Sequence, residues 1–87
     1  MECIYNTKTM ELNNGKRLSP VENKILISLS DENIINNKDI SMYVYGYYNN
    51  RKNDCIKSQI YNLRKKGIKI INRNGFGYKL ITKINFF

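Results

Sequence analysis

The sequence predicts a small α+β domain with short N-terminal strands, three helices and a C-terminal β-hairpin, and three observations carry that prediction. Ser19-Pro20-Val21-Glu22 has the form of a capping box at the start of a helix, two later helical stretches run up to glycines (Gly46 and Gly67), and Asn74-Gly75 separates two β-rich runs. At 87 residues there is room for one domain and one modest core. Residues 1–87 are therefore expected to form a single unit, with strands in 1–18, helices in 19–67, a hairpin in 68–82 and a tail at 83–87.

Each element has its own local reason. Cys3-Ile4-Tyr5 and Met10-Glu11-Leu12 read as short strands, with Asn13-Asn14-Gly15 as a turn. Ser19 caps the first helix, Pro20 suits its first position, and Val21, Ile25 and Leu29, widened by Leu26, give it an apolar stripe from about 20 to 29. Ser30-Asp31-Glu32-Asn33 reads as a loop. Asn36 caps a second helix with Ile40, Tyr43 and Val44 on one face, and Gly46 is placed to end it. Residues 47–53 are polar and turn-like, a third helix spans about 54–66, and Gly67 stops it. Runs 68–71 and 77–81 then read as strands around the Asn-Gly turn.

Charge is segregated along the chain. Residues 1–50 hold five basic and six acidic side chains, a net of −1, whereas residues 51–87 hold ten basic side chains and one acid, Asp54, a net of +9. Solubility alone does not require such asymmetry, and a field this lopsided attracts and orients a polyanion. The third helix is the expected point of contact. On a helical wheel Ile56, Ile60 and Leu63 share one side, while Asp54, Ser58, Tyr61, Asn62 and Lys65 lie opposite, flanked by Lys57 and Arg64. Serine and asparagine can hydrogen-bond to base edges in a major groove, and lysine and arginine hold phosphates. A merely solvated face would pair its cations with acids at helical spacing, but Arg64-Lys65-Lys66 has no such partners.

Other chemistries find little support. With 41% hydrophobic and 25% charged residues the composition is that of a globular domain, no apolar run is long enough to cross a bilayer, and the N-terminus lacks the form of a secretory signal. Cys3 and Cys55 have no metal-ligand spacing and the chain has no histidine, so free thiols and a cytoplasmic location are expected. No nucleophile–base pair or metal-binding carboxylate set can be assembled, which argues against an enzyme and against a cofactor. Gly75-Phe76-Gly77 is too short for a phosphate-binding loop and precedes a strand.

Several of these motifs, in this order, resemble the OmpR/PhoB-type winged helix-turn-helix effector domain of bacterial response regulators. The likeness covers residues 18–80: Leu18-Ser19-Pro20-Val21-Glu22 at the first helix, Ile35-Asn36-Asn37-Lys38-Asp39-Ile40 at the second, Val44-Tyr45-Gly46 where the family has Val-Trp-Gly, Ile60-Tyr61-Asn62-Leu63-Arg64-Lys65-Lys66 in the third, and Gly75-Phe76-Gly77-Tyr78 in the wing. The resemblance implies a four-stranded N-terminal sheet, a third helix in the major groove and a hairpin wing on adjacent backbone or minor groove. Its positions put Ser58 and Asn62 near bases and Tyr61, Arg64 and Lys65 near the backbone. The loop around residues 47–53, with Arg51, touches DNA or RNA polymerase in the family. The wing departs from the pattern: Asn72-Arg73-Asn74 stands where Thr-Val-Arg is usual, and a one-residue shift sends a side chain to the other face. Gly67 replaces an apolar residue, and no receiver domain precedes the fold, so control by phosphorylation is not expected.

The expected function is sequence-specific binding of double-stranded DNA by a small transcriptional regulator, as a homodimer or adjacent copies on a repeated site, through Arg51, Lys57, Ser58, Tyr61, Asn62, Arg64, Lys65, Arg73 and Asn74. The alternative is a winged-helix adaptor whose basic face binds RNA polymerase or another regulator.

Overall fold

The computed structural model describes residues 3–30, 33–73 and 75–86. In them the chain is α+β, with the order β1 (Cys3–Asn6), β2 (Glu11–Leu12), α1 (Pro20–Ser28), α2 (Asn37–Tyr45), α3 (Asn50–Lys65), β3 (Ile70–Arg73), β4 (Gly77–Leu80) and β5 (Ile84–Phe86). Asp31 and Glu32 of the expected loop, Asn74 of the expected turn and Phe87 of the tail lie outside the described residues. Among the described residues no helix is long and apolar enough to cross a membrane.

Polar caps set where the helices begin. Ser19 and Glu22 form the reciprocal capping box of α1, each side chain bonded to the other's backbone N–H, and Asn36 caps α2 by accepting from the Asp39 N–H at 2.8 Å. At the far end of α3 the Ile68 N–H reaches the Leu63 carbonyl and the Gly67 N–H the Arg64 carbonyl. This double reversal needs the left-handed backbone that Gly67 adopts at φ +98°, and it lays Ile68 against Leu63 in the core.

The structure departs from the sequence reading in four places. The third helix begins at Asn50, not near 54, because Asn49 accepts from the Lys52 N–H at 2.9 Å and acts as a cap, so residues 50–53 are helical. Tyr43, expected on the buried face of the second helix, is 56% exposed; Ile40 and Ser41 are buried in its place. The Ser41 hydroxyl donates to the Tyr47 carbonyl at 2.5 Å, which fixes the turn between α2 and α3. The first hairpin strand starts at Ile70, since Ile68 is used in the helix stop and the Lys69 N–H donates to Thr82 Oγ1. In place of a four-stranded N-terminal sheet, β1 pairs antiparallel with β2 on one side and parallel with the C-terminal β5 on the other, giving the order β2-β1-β5. The apolar tail is thus a strand, and Phe86 meets the buried Tyr5 ring edge-on at 6.1 Å.

β3 and β4 form a separate antiparallel hairpin, registered Ile70↔Leu80 to Arg73↔Gly77. It is tied to the start of α2 by two backbone hydrogen bonds, Ile35 N–H to the Tyr78 carbonyl (2.9 Å) and Tyr78 N–H to the Ile35 carbonyl (2.8 Å). The approach is close enough that a Cβ on Gly77 would collide with the Ile35 carbonyl and lie 2.6 Å from the Asn36 Cα. Only glycine fits there.

One core joins these parts: Tyr5 and Leu12 from the sheet, Leu18, Ile25, Leu26 and Leu29 around α1, Ile40, Ile56, Ile60 and Leu63 from α2 and α3, and Ile68, Ile70, Tyr78 and Leu80 from the hairpin region. Glu22 is buried beside it at 2% exposure, where one carboxylate oxygen accepts from the Ser19 N–H (2.8 Å) and from Lys66 Nζ (2.6 Å). The Tyr5 hydroxyl donates to Asn23, and its pKa is pushed up to about 12 by burial and by the Glu22 charge.

Burial alone would raise the Glu22 carboxyl, but the bonds from Lys66 and Ser19 outweigh it and hold its pKa below the ordinary value. A depressed carboxylate pKa stabilises the fold above the unfolded value of about 4.3, and that stability is lost as pH falls through the folded value. Lys66→Ala is expected to lower unfolding free energy by on the order of 2–4 kcal/mol near neutral pH, since it strands a buried carboxylate, and to weaken the loss of stability in acid. Urea titrations at several pH values check this; an unchanged midpoint and acid profile would show the pair to be inert.

Candidate nucleic-acid interface

The amphipathic division of α3 decides which side chains are available. Ile56, Ile60 and Leu63 are buried against α1 and α2, and helix geometry turns Ser58, Tyr61, Asn62 and Lys65 outward, where all four are exposed. The early start of α3 adds Arg51 to the same stripe, seven residues before Ser58 and exposed. Tyr61 is 60% exposed, and Lys65 Nζ lies 5.4 Å from its ring centroid, so the two form one cation–π unit on the surface. Lys57 is exposed on the flank nearest the hairpin.

Arg64 is exposed but partly engaged, with Nε donating to the Ile70 carbonyl at 2.9 Å. It ties the end of α3 to the first hairpin strand. Arg73 is exposed at the hairpin turn, but strand alternation sets it on the face opposite Asn72, which lines the space between hairpin and α3. Asn74 lies outside the described residues. Of the nine residues singled out in the sequence, six (Arg51, Lys57, Ser58, Tyr61, Asn62 and Lys65) therefore share one exposed side of α3.

Two concavities flank that side. A cleft of about 290 Å³ runs between the first half of α3, the start of α2 and the hairpin tip, lined by Asn36, Asn37, Asn53, Lys57, Asn72 and Phe76 among others. Asn37 Nδ2 donates to Asn53 Oδ1 across its floor. A second, of about 240 Å³, is lined by Lys16, Asn62, Lys65 and Lys66. It exists because Asn14 Nδ2 donates to the Lys66 carbonyl at 3.0 Å, docking the 13–15 turn on the end of α3.

Sequence reasoning missed Lys16, Asn53, Asn72 and Phe76 as members of this surface. Lys16 sits in the acid-balanced part of the chain, and only the docked turn carries it beside Lys65. Asn53 was hidden by the turn-like look of residues 47–53, although Asn49 as a helix cap was the available signal. At the other end of the stripe, Arg51 and Lys52 occupy the first turn of α3, which has no acidic residue. Cations there oppose the helix dipole, and Lys52 Nζ is partly accommodated over the Tyr45 ring at 4.5 Å from the centroid. Among the described residues no group of three potential metal-ligating side chains comes together.

No protein-family model matches the chain, and no curated protein matches it.

If the outer face of α3 is free of packing duties, Ser58→Ala and Asn62→Ala should each change stability by no more than about 0.5 kcal/mol. Arg64→Ala, which removes a hydrogen bond to the hairpin backbone, should cost about 1 kcal/mol. Urea midpoints distinguish these; equal losses at all three positions would mean that the outer face is structural.

Proposed function

We propose that this protein is a winged helix-turn-helix regulator that binds double-stranded DNA, with α2 and α3 as the helix pair, α3 in the major groove and the β3–β4 hairpin as the wing. The observation that carries the reading is the exposed stripe of α3, in which Ser58 and Asn62 lie between cations at both ends, Arg51 and Lys65. Serine and asparagine reach base edges, and Asn62 has the groups for a bidentate contact to adenine. Arg51, Lys57, Lys65 and Lys16 hold phosphates on either side.

Two further features support it. The exposed Arg51 in the first turn of α3 opposes the helix dipole, a placement that becomes favourable when a phosphate lies against it. The hairpin is braced against the start of α2 beside α3, so a duplex lying on α3 also meets the hairpin. One helix of contacts gives limited specificity, so binding as two copies on a repeated site belongs to the same proposal. The competing reading, an adaptor whose basic face binds RNA polymerase or another regulator, gains further apolar contact surface from the exposed Ile34, Met42 and Tyr43 in and before α2.

Gel-shift titration against random and selected duplexes tests the proposal. About six phosphate contacts give a slope of log affinity against log salt near −5, and Lys16→Ala should make it shallower by about 0.9. Ser58→Ala with Asn62→Ala should alter the selected sequence while leaving that slope in place. Affinity that is absent or indifferent to salt would rule out DNA reading and favour the adaptor.

A further inference from the structure

Phe76, at the hairpin tip, stands in an unusual setting. It is 73% exposed, more than any other large apolar side chain among the described residues. Its N–H donates to the Arg73 carbonyl at 2.8 Å and closes the turn, while the next residue, Gly77, is pressed onto the Ile35–Asn36 backbone. One residue further, Tyr78 is buried and paired in both directions with Ile35. The ring is therefore held out from a braced stalk.

Its neighbours indicate what it meets. Phe76 and Asn72 line the cleft together with Asn53 and Lys57 of α3, so the ring lies beside the flank of α3 that adjoins the exposed stripe. Besides Phe76 the cleft is lined by four amides and a cation, with Tyr48 and Tyr78 as its other aromatic side chains, so its rim is more polar than apolar. Asparagine and lysine beside an exposed phenylalanine are the means by which proteins grip a minor groove and part its base steps.

We infer that Phe76 is a wedge that enters between two base pairs from the minor groove next to the site held by α3, unstacking that step and bending the duplex toward the major groove. This inference rests on the DNA-binding reading above and adds to it a mode of recognition: the preferred sites should carry an easily unstacked pyrimidine–purine step where the tip lands, because the energy of deformation depends on the step deformed. Base identity at that step is then sensed through stiffness, without a hydrogen bond.

The experiment uses the whole chain with a duplex selected from a random library, dyes on the two duplex ends to report bending by energy transfer, and 2-aminopurine placed in turn at each step on the hairpin side. Wild type is expected to shorten the end-to-end distance and raise 2-aminopurine emission at one step. Phe76→Ala, a change at an exposed position that circular dichroism should show to be folded, is expected to lose both signals and about tenfold in affinity while keeping the salt slope. A mismatch at the same step should restore most of that affinity, and Phe76→Leu should keep part of the bend. If wild type binds with the expected salt dependence but bending and emission are the same in Phe76→Ala, the wedge is wrong and DNA reading stands. If wild type binds no duplex, the DNA-binding reading itself fails and the wedge falls with it.

Discussion

Ile56, Ile60 and Leu63 are each at most 1% exposed, held against α1 and α2, and a helix cannot bury one face without fixing the direction of the other. Their burial sets which way Ser58, Asn62 and Lys65 project, and the rest of the fold serves to hold that orientation. Gly67 and Ile68 turn the chain sharply after α3, and Lys66 fastens the helix end to the buried Glu22 of α1. Arg64 links it to Ile70 at the start of the hairpin. The hairpin is in turn locked to the start of α2 through Ile35, Gly77 and Tyr78. α3 is thus restrained along its apolar side and at its C-terminal end, with its polar side left open.

Several places where the chain works against its own stability lie on that open side. Arg51 and Lys52 sit at the positive end of a helix dipole, and Tyr61 and Phe76 expose aromatic surface that a fold built only for stability would cover. Away from it caps are filled and Glu22 has its cation, but one Glu22 oxygen is buried without a hydrogen-bond partner among the described residues, Met10 takes a left-handed backbone at φ 59°, and Ile34, Met42 and Tyr43 are exposed.

Much of this was legible in the residues. Ser19-Pro20-Val21-Glu22 marks the start of α1 unambiguously because proline, cap and reciprocal glutamate all coincide, and Asn36, Gly46 and Gly67 mark helix ends for equally local reasons. The outer stripe of α3 follows from the spacing of Ile56, Ile60 and Leu63. What escaped depends on contacts between distant segments. The apolar tail suits packing on the N-terminal strands and contact with a partner equally well in the sequence, and only the parallel pairing of β5 with β1 decides between them. Ser41 is buried because its hydroxyl finds the Tyr47 carbonyl, so the apolar count misjudged which side of α2 faces inward and left Tyr43 exposed. Lys16 joins the basic side only through a docked turn.

The most direct test of the central claim is a residue-resolved one: amide and side-chain NMR shifts followed as a duplex is titrated into the labelled protein. The largest changes are expected on the α3 stripe from Arg51 to Lys65, including the side-chain amide of Asn62, and on the hairpin tip, with β1, β2 and β5 nearly silent. Changes confined to the exposed α2 surface around Met42 and Tyr43, or absent from α3, would contradict it.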